Sequence, residues 1–405
     1  MAVRFEHHTL ANAMDIIAEV NPDAHSASAG FFVRTGARDE ADEIEGVSHY
    51  LEHMMFKGTL DLSADEINQG FDRIGARNNA YTTSELTAFH AHVLPERLTE
   101  VVDLLGRMMR PALRDEDFKV EKGVILEEIA MYKDNPFFVI YEETVARYYA
   151  PHPLAHRVLG TEESITALQR DQMLAYFENR YAADNTTLAL AGKVDFDAVC
   201  AQAEALCAGW TATGATRDRT APGAHPQTFT VHDDRLASAY ILGVARAPAY
   251  DDDRRYAASM LADIYGSPDN SRLHWALIET GIAEEAQAAY DRRDGTGEYF
   301  VFAAGEPDRV DQIWGVVERE ADALVDSLTD DDLERLRAKT ATGATLSAER
   351  PNDMMHRIGR RWTYLRSYSS LEDELARINR VTLDDLRDVA SAFPLKPITI
   401  GRLTP

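Results

Sequence analysis

An unpatterned stretch, TATGATRDRTAPGAHPQ at residues 211–227, interrupts this chain and separates two parts that repeat one order of elements. It is small, polar and punctuated by Gly and Pro, with no period that a helix or strand can use, and it reads as a linker. On either side the apolar pattern runs strand, strand, helix, strand and helices. At 405 residues the chain also exceeds what one hydrophobic core normally organises. The expectation is an α+β protein of two homologous domains, residues 1–212 and 228–405 joined by 213–227. Each would be an antiparallel β-sheet packed with α-helices.

In the first part, strands are expected at 14–20 and 26–35, helices at 46–57 and 64–75, and an alternating strand run at 79–93. Helical periods follow at 98–109, 114–133, 138–149 and 170–180, then a strand at 185–191 and a helix carrying both cysteines. In the second part the strands fall at 228–231, 238–246, 299–304 and 398–401. Its helices fall at 252–265, 309–327, 329–348 and 384–393.

Composition narrows the function classes. A formal net charge of −26 argues against nucleic acid, whose binders need a basic face. It fits either a solvated acidic surface or a cleft that draws basic peptides. No apolar run approaches the roughly 18 residues of a membrane span. The N-terminus lacks a basic segment followed by an uninterrupted apolar one, so no secretory signal is read and a cytoplasmic location is expected. Cys200 and Cys207 lie seven residues apart on one helix, roughly 10 Å between Cα atoms and too far for a disulfide. They read as buried apolar residues, which fits a reducing compartment.

The chemistry concentrates in His49-Tyr50-Leu51-Glu52-His53. Residues i and i+4 share a helix face, so His49 and His53 can offer two imidazoles to one ion. Glu52 is displaced around the helix, where a carboxylate can touch a metal-bound water without taking a coordination position. Catalytic zinc typically takes three protein ligands and a water of lowered pKa. Glu52 is placed to act as its general base and to return the proton to the leaving amine. Apolar neighbours (Val47, Leu51, Met54, Met55, Phe56) set the histidines at a buried boundary, where they need partners. A third ligand is sought in VEKGVILEEIAMYKDNP, where Glu121 and Glu128 share a face and Glu127 points elsewhere. By spacing alone that face is better explained by solvation.

Three segments, GVSHYLEHMMFKGT, RNNAYTTSELTAFH and EKGVILEEIAMYKDNP, together resemble the M16 peptidase family. That family includes pitrilysin, insulin-degrading enzyme, the mitochondrial processing peptidase with its zinc-carrying β subunit, and small bacterial M16B members. Its inverted H-x-x-E-H motif marks the inverzincins. The resemblance is strong in the first part and looser in the second, through PDNSRLHWALIETG. It implies the M16/LuxS-like metallohydrolase fold, one Zn2+ per chain, His49, His53 and Glu128 as ligands, and Glu52 as base. It implies Glu121 as a supporting carboxylate behind the metal. It also implies that Asn79, Ala80, Tyr81 and Thr82 form the edge strand along which peptide substrates lie, an addition that exploits main-chain hydrogen bonds.

The sequence departs from the family pattern at one place. Active members use an arginine and a tyrosine seven apart, after a Ser-Arg-Leu segment, to hold substrate near the metal. After Ser271-Arg272-Leu273, Ile278 and Glu284 stand near where that arginine and tyrosine are expected, and the pair is missing. The resemblance then implies a heterodimer with a homologous M16 subunit that supplies the Arg/Tyr pair, with a homodimer as the other assembly. A non-catalytic scaffold or peptide-binding subunit is the alternative function, opposed by the intact metal set. The remaining histidines read as structural: His90 and His92 on one strand face, His152 and His156 in a loop, and His7 and His8 exposed near the N-terminus.

Overall fold

Ala27–Val33 and Thr186–Gly192 are buried at every position, the mark of strands in a sheet interior with both faces covered. In the computed structural model, which describes residues 3–223 and 225–405, they form the centre of a six-stranded sheet. Its strands are β1 (Arg4–Thr9), β2 (Asp15–Val20), β3 (Ala27–Val33), β4 (Arg77–Thr82), β5 (Thr87–Val93) and β6 (Thr186–Gly192). Their order is β1-β2-β6-β3-β5-β4. A second sheet holds β7 (Gln227–His232), β8 (Ala239–Ala247), β9 (Glu285–Arg292), β10 (Gly297–Gly305) and β11 (Thr399–Thr404), in the order β7-β11-β8-β10-β9.

Without β1, the first sheet places its strands first-fifth-second-fourth-third along the chain, and the second sheet does the same. This shared permutation carries the duplication that the two sequence halves show only faintly. The α+β architecture is as expected, with one refinement: each sheet contains a parallel pair, β2 with β6 and β7 with β11. Parallel neighbours need a long crossover. The helices between β5 and β6, and between β10 and β11, provide it.

Packing does not follow the two halves of the sequence. One compact unit comprises the chain up to Ile129, His156–Asp218 and Thr345–Ser369; the other comprises Ala130–Ala155, Arg219–Ala344 and Ser370–Pro405. Three of the first unit's elements bear on the site: β4, α1 (Val47–Met55) and α2 (Asp115–Lys133), whose last turn lies beyond Ile129. Helix α3 (Pro136–Tyr149) follows α2 in sequence yet packs on the second sheet, with Ile140, Val145 and Tyr149 against Leu242, Val244, Phe300 and Phe302. In return α4 (Pro351–Leu365), from the second half, packs Met354, Met355, Ile358 and Trp362 against Ile17, Phe32, Ala88 and Ala189 of the first sheet. Each half thus lends one helix to the other's core.

Outside the elements expected from the sequence lie α4, the helices Glu162–Ala167 and Leu371–Arg380, and strands β1 and β9. On α4, Gly359 lies so near Phe32 that a Cβ would stand 2.4 Å from the ring. Alanine ordinarily favours a helix by about 1 kcal/mol over glycine. Here the clash with a buried ring outweighs it, and Gly359→Ala should destabilise the first unit by about 1–3 kcal/mol. A lower urea midpoint for the variant checks this; an unchanged or higher one refutes the close packing.

The stretch at 211–226 has no regular element among its described residues, yet it is anchored. Arg217 is buried in the first unit, its Nη2 2.6 Å from Asp39 Oδ2. Arg219 belongs to the second unit, 2.7 Å from Asp251 and 2.6 Å from Asp294. Both cysteines are free thiols; Cys207 is buried and Cys200 half-buried.

Candidate metal centre

Helix α1 starts at Gly46, whose φ of 90° is left-handed and whose Cβ, if present, would meet the Leu159 carbonyl at 2.6 Å. The buried carboxyl of Glu40 accepts from the Gly46 and Ser48 amides, at 2.6 and 2.8 Å, and so satisfies the open N–H groups of the first turn. Burial pushes the Glu40 carboxyl up to about 8, against the pull of the Ser48 and Gly46 donors. Every residue of α1 except His53 is buried. Tyr50, at its middle, stacks on Phe118 of α2 at 4.8 Å and donates its hydroxyl to the Phe118 carbonyl. That clamp fixes α2 against α1, and with it the two carboxylates of α2.

His49 and His53 stand one turn apart with ring centroids 4.7 Å from each other. Glu121 Oε1 lies 2.8 Å from His53 Nδ1, while its other oxygen is 2.5 Å from Lys57 Nζ. Held at Nδ1, His53 turns Nε2 toward Glu128, at 3.5 Å from Oε2. His49 Nε2 is 3.8 Å from Glu128 Oε1. His49, His53 and Glu128 each offer one donor atom within 4.8 Å of the others. Separations of 3.5–3.8 Å are too long for hydrogen bonds, and His49 Nδ1 is buried without a hydrogen-bond partner among the described residues. Such a set fits donors to a shared cation better than an ion-paired cluster, and two imidazoles with a carboxylate form a ligand set suited to zinc.

The electrostatics agree with that chemistry. Burial, with the neighbouring His53, pulls His49 down to about 3, so its imidazole is neutral and able to ligate. Burial works against a charge on His53, but the Glu121 hydrogen bond and the charges of Glu128, Glu121 and Glu52 outweigh it and raise its value. Burial would raise Glu121; its bonds to His53 and Lys57 prevail and lower it. Burial raises Glu52, opposed by a Thr82 hydrogen bond and by His53, with Glu128 adding to the rise. A carboxyl lifted in this way suits proton transfer near neutral pH.

Asn79, Ala80, Tyr81 and Thr82 lie on β4, the strand at the sheet edge. Strand alternation sends Ala80 and Thr82 toward α1, and Asn79 and Tyr81 to the other face. Thr82 Oγ1 donates to Glu52 Oε2 at 2.5 Å, tying the strand to the carboxylate. Asn79 is exposed, and its Oδ1 accepts from the Ala80 amide. The structure therefore gathers His49, His53, Glu128, Glu121, Glu52 and Thr82 in one place, with the other β4 residues alongside. Glu127 is exposed, as expected.

Sequence reasoning missed Glu40, Lys57 and the direct bond from Thr82 to Glu52. Lys57 had a signal, because it stands one turn beyond His53. In the second unit, Ile278 ends a π-helical turn, His274–Ile278, and packs partly buried against the core, while Glu284 accepts from Ser238 Oγ at 3.2 Å.

Replacing Glu121 by Ala should weaken zinc binding by about 10- to 100-fold, because it frees His53 Nδ1 and strands Lys57. Competition with a chelating dye measures it; unchanged affinity would mean that Glu121 does not orient the histidine.

Comparison with known proteins places these residues in context. The model for Insulinase (Peptidase family M16) matches residues 15–162, and that for the Peptidase M16 inactive domain matches 167–340. A Bacillus subtilis protein named uncharacterized zinc protease YmxG is 28% identical over 99% of this chain and 98% of its own. An uncharacterized zinc protease of Streptomyces coelicolor is 30% identical over 94% of this chain and 85% of its own. Among solved structures, a protease from Helicobacter pylori superimposes with a TM-score of 0.92 at 18% identity, covering all of both chains. A putative M16-like peptidase from Alicyclobacillus acidocaldarius does so at 0.86 and 21%, covering 100% of this chain and 99% of that one. At those identities the two structures speak for the fold alone. With family models over both parts of the sequence and full-length relatives at this level, the chain belongs to the M16 insulinase-like peptidase family.

Proposed function

We propose that the chain is the metal-bearing subunit of a zinc-dependent endopeptidase that cuts peptides or unfolded polypeptide segments. The observation that carries this reading is the convergence of His49, His53 and Glu128 within 4.8 Å, beside a buried Glu52 held by Thr82. One zinc per chain would be held by His49, His53 and Glu128, and when bound it supplies Lewis-acid polarisation of the peptide carbonyl and acidifies water. Glu52 removes a proton from the water whose oxygen bonds to the carbonyl carbon. It then delivers that proton to the amide nitrogen as the C–N bond breaks. Thr82 holds one Glu52 oxygen and leaves the other for the proton. The free edge of β4 takes an extended peptide as an added strand, which confers affinity with little dependence on sequence.

Ile278 and Glu284 stand near where the M16 resemblance leads an arginine and a tyrosine to be expected, and neither provides that pair of donors. This favours a heterodimer in which a homologous subunit supplies the pair around a shared chamber, over a homodimer. A scaffold role draws on the same two positions, but leaves the complete His/His/Glu set without a use. A cytoplasmic location belongs to this proposal; among the described residues no helix is long and apolar enough to cross a membrane.

Metal removal tests the reading. The purified chain should hold one zinc by elemental analysis and lose it to a strong chelator. Peptide cleavage, assayed with the partner chain present, should vanish with the metal and return on adding zinc. A chain that takes up no zinc would overturn the proposal.

A further inference from the structure

On the face of β4 turned away from α1, a second cluster of side chains surrounds Tyr81. Its ring lies 6.2 Å from His90 of β5 and 5.6 Å from His356 of α4, and the two histidine rings are 4.4 Å apart. The Tyr81 hydroxyl is 3.3 Å from His356 Nδ1. Arg360, one turn further along α4, holds its guanidinium 5.7 Å over the Tyr81 ring. The body of α4 covers β2, β3 and β6, and reaches the outer face of β4 through these long side chains.

The cluster carries one charge. Burial lowers His90, and burial together with His90 and Arg360 brings His356 down to about 4, so both imidazoles are neutral. Arg360 is exposed, and no carboxylate among the described residues pairs with it. Its neighbours on the same segment are treated differently: Arg357 lies 2.5 Å from Glu19, and Arg366 2.9 Å from Asp15. In a chain with 68 acidic and 42 basic side chains, this exposed arginine stands beside a sheet edge with its guanidinium open to a carboxylate.

We propose that Arg360, with Tyr81 and His356, forms a subsite for an acidic side chain of a peptide strand added to β4. This rests on the peptidase reading and deepens it by naming a substrate class. An added strand directs every second side chain to the Tyr81 face. A carboxylate there meets the planar fork of Arg360, which the Tyr81 ring supports from one side. With Nδ1 accepting from the Tyr81 hydroxyl, His356 carries its proton on Nε2 and offers a second, neutral donor. A lysine at the same position meets Arg360 as a like charge. The overall negative charge acts at longer range and is screened by salt, so it does not select between positions of one peptide.

The test uses the full-length Glu52→Gln chain and fluorescent, unstructured peptides, with one Glu stepped through an otherwise neutral sequence. Anisotropy should show binding roughly fivefold tighter when the Glu occupies one alternating set of positions, a gain typical of a partly exposed ion pair. The gain should disappear in Arg360→Ala, persist in part in Arg360→Lys, and pass to a Lys-stepped series in Arg360→Glu. Affinity independent of the Glu position, or a gain that survives Arg360→Ala, overturns the subsite. A metal-loaded chain with Glu52 intact that shows the acidic preference but, with the partner chain present, cleaves nothing keeps the subsite and removes the peptidase reading. Cleavage that ignores the Glu position removes the subsite alone.

Discussion

Replacing Glu52 by Gln should leave the chain folded and loaded with zinc while peptide hydrolysis falls by about 10³- to 10⁴-fold, the upper range for losing a general base. Glutamine keeps the volume of a side chain that is 9% exposed, and its amide still accepts from Thr82 Oγ1, so α1 keeps its shape. What it loses is the capacity to take a proton. The ligand atoms on His49, His53 and Glu128 are untouched, so zinc content separates loss of the base from loss of the site. Normal cleavage by the variant would place the base elsewhere. Loss of zinc together with activity would instead assign Glu52 to holding the metal.

The second large effect lies behind the site. The side chain of Asp39 is almost wholly buried and is held by two arginines, with Arg180 Nη2 at 2.7 Å and Arg217 Nη2 at 2.6 Å, and by the Gly36 amide at 3.1 Å. Asp39→Ala would strand two buried guanidinium groups, and breaking a buried pair in this way costs about 3–5 kcal/mol. The first unit should unfold at a correspondingly lower urea concentration. Asp39→Asn, which keeps hydrogen-bond acceptors, should fall short of that loss. A change below about 1 kcal/mol for the alanine variant would mean that water reaches the arginines.

Where the sequence could be read, it was because a regular period links the residues. His49 and His53 are one turn apart, and Glu121 and Glu128 two turns apart, so helical geometry alone pairs them on faces. Bringing the two helices together required the resemblance to M16 peptidases; the physical cause, the Tyr50 stack on Phe118, joins residues 68 apart and leaves no pattern. Glu40 was missed for a related reason. A carboxylate in a loop looks solvated until its amide partners are known, and here they are the first turn of α1.

Strands β1 and β9 are edge strands whose polar or small residues, as in Arg4–Thr9 and the Ala286 and Ala288 alternation of β9, give little apolar contrast. Helix α4 shows a usable face in Met354, Met355, Ile358 and Trp362, but Arg357, Arg360 and Arg361 interleave it and dilute the signal. Arg217 sits in a stretch whose composition is that of a tether, and only the three-dimensional partner Asp39 shows it to be fixed.

The reciprocal loan of α3 and α4 has a consequence for how such a chain can be cut. Severing the backbone at 213–227 yields two polypeptides, neither of which contains a complete core: the first lacks the cover of β2, β3 and β6, the second the cover of β8 and β11. A nicked protein would stay associated, whereas fragments made separately would expose apolar sheet faces and aggregate.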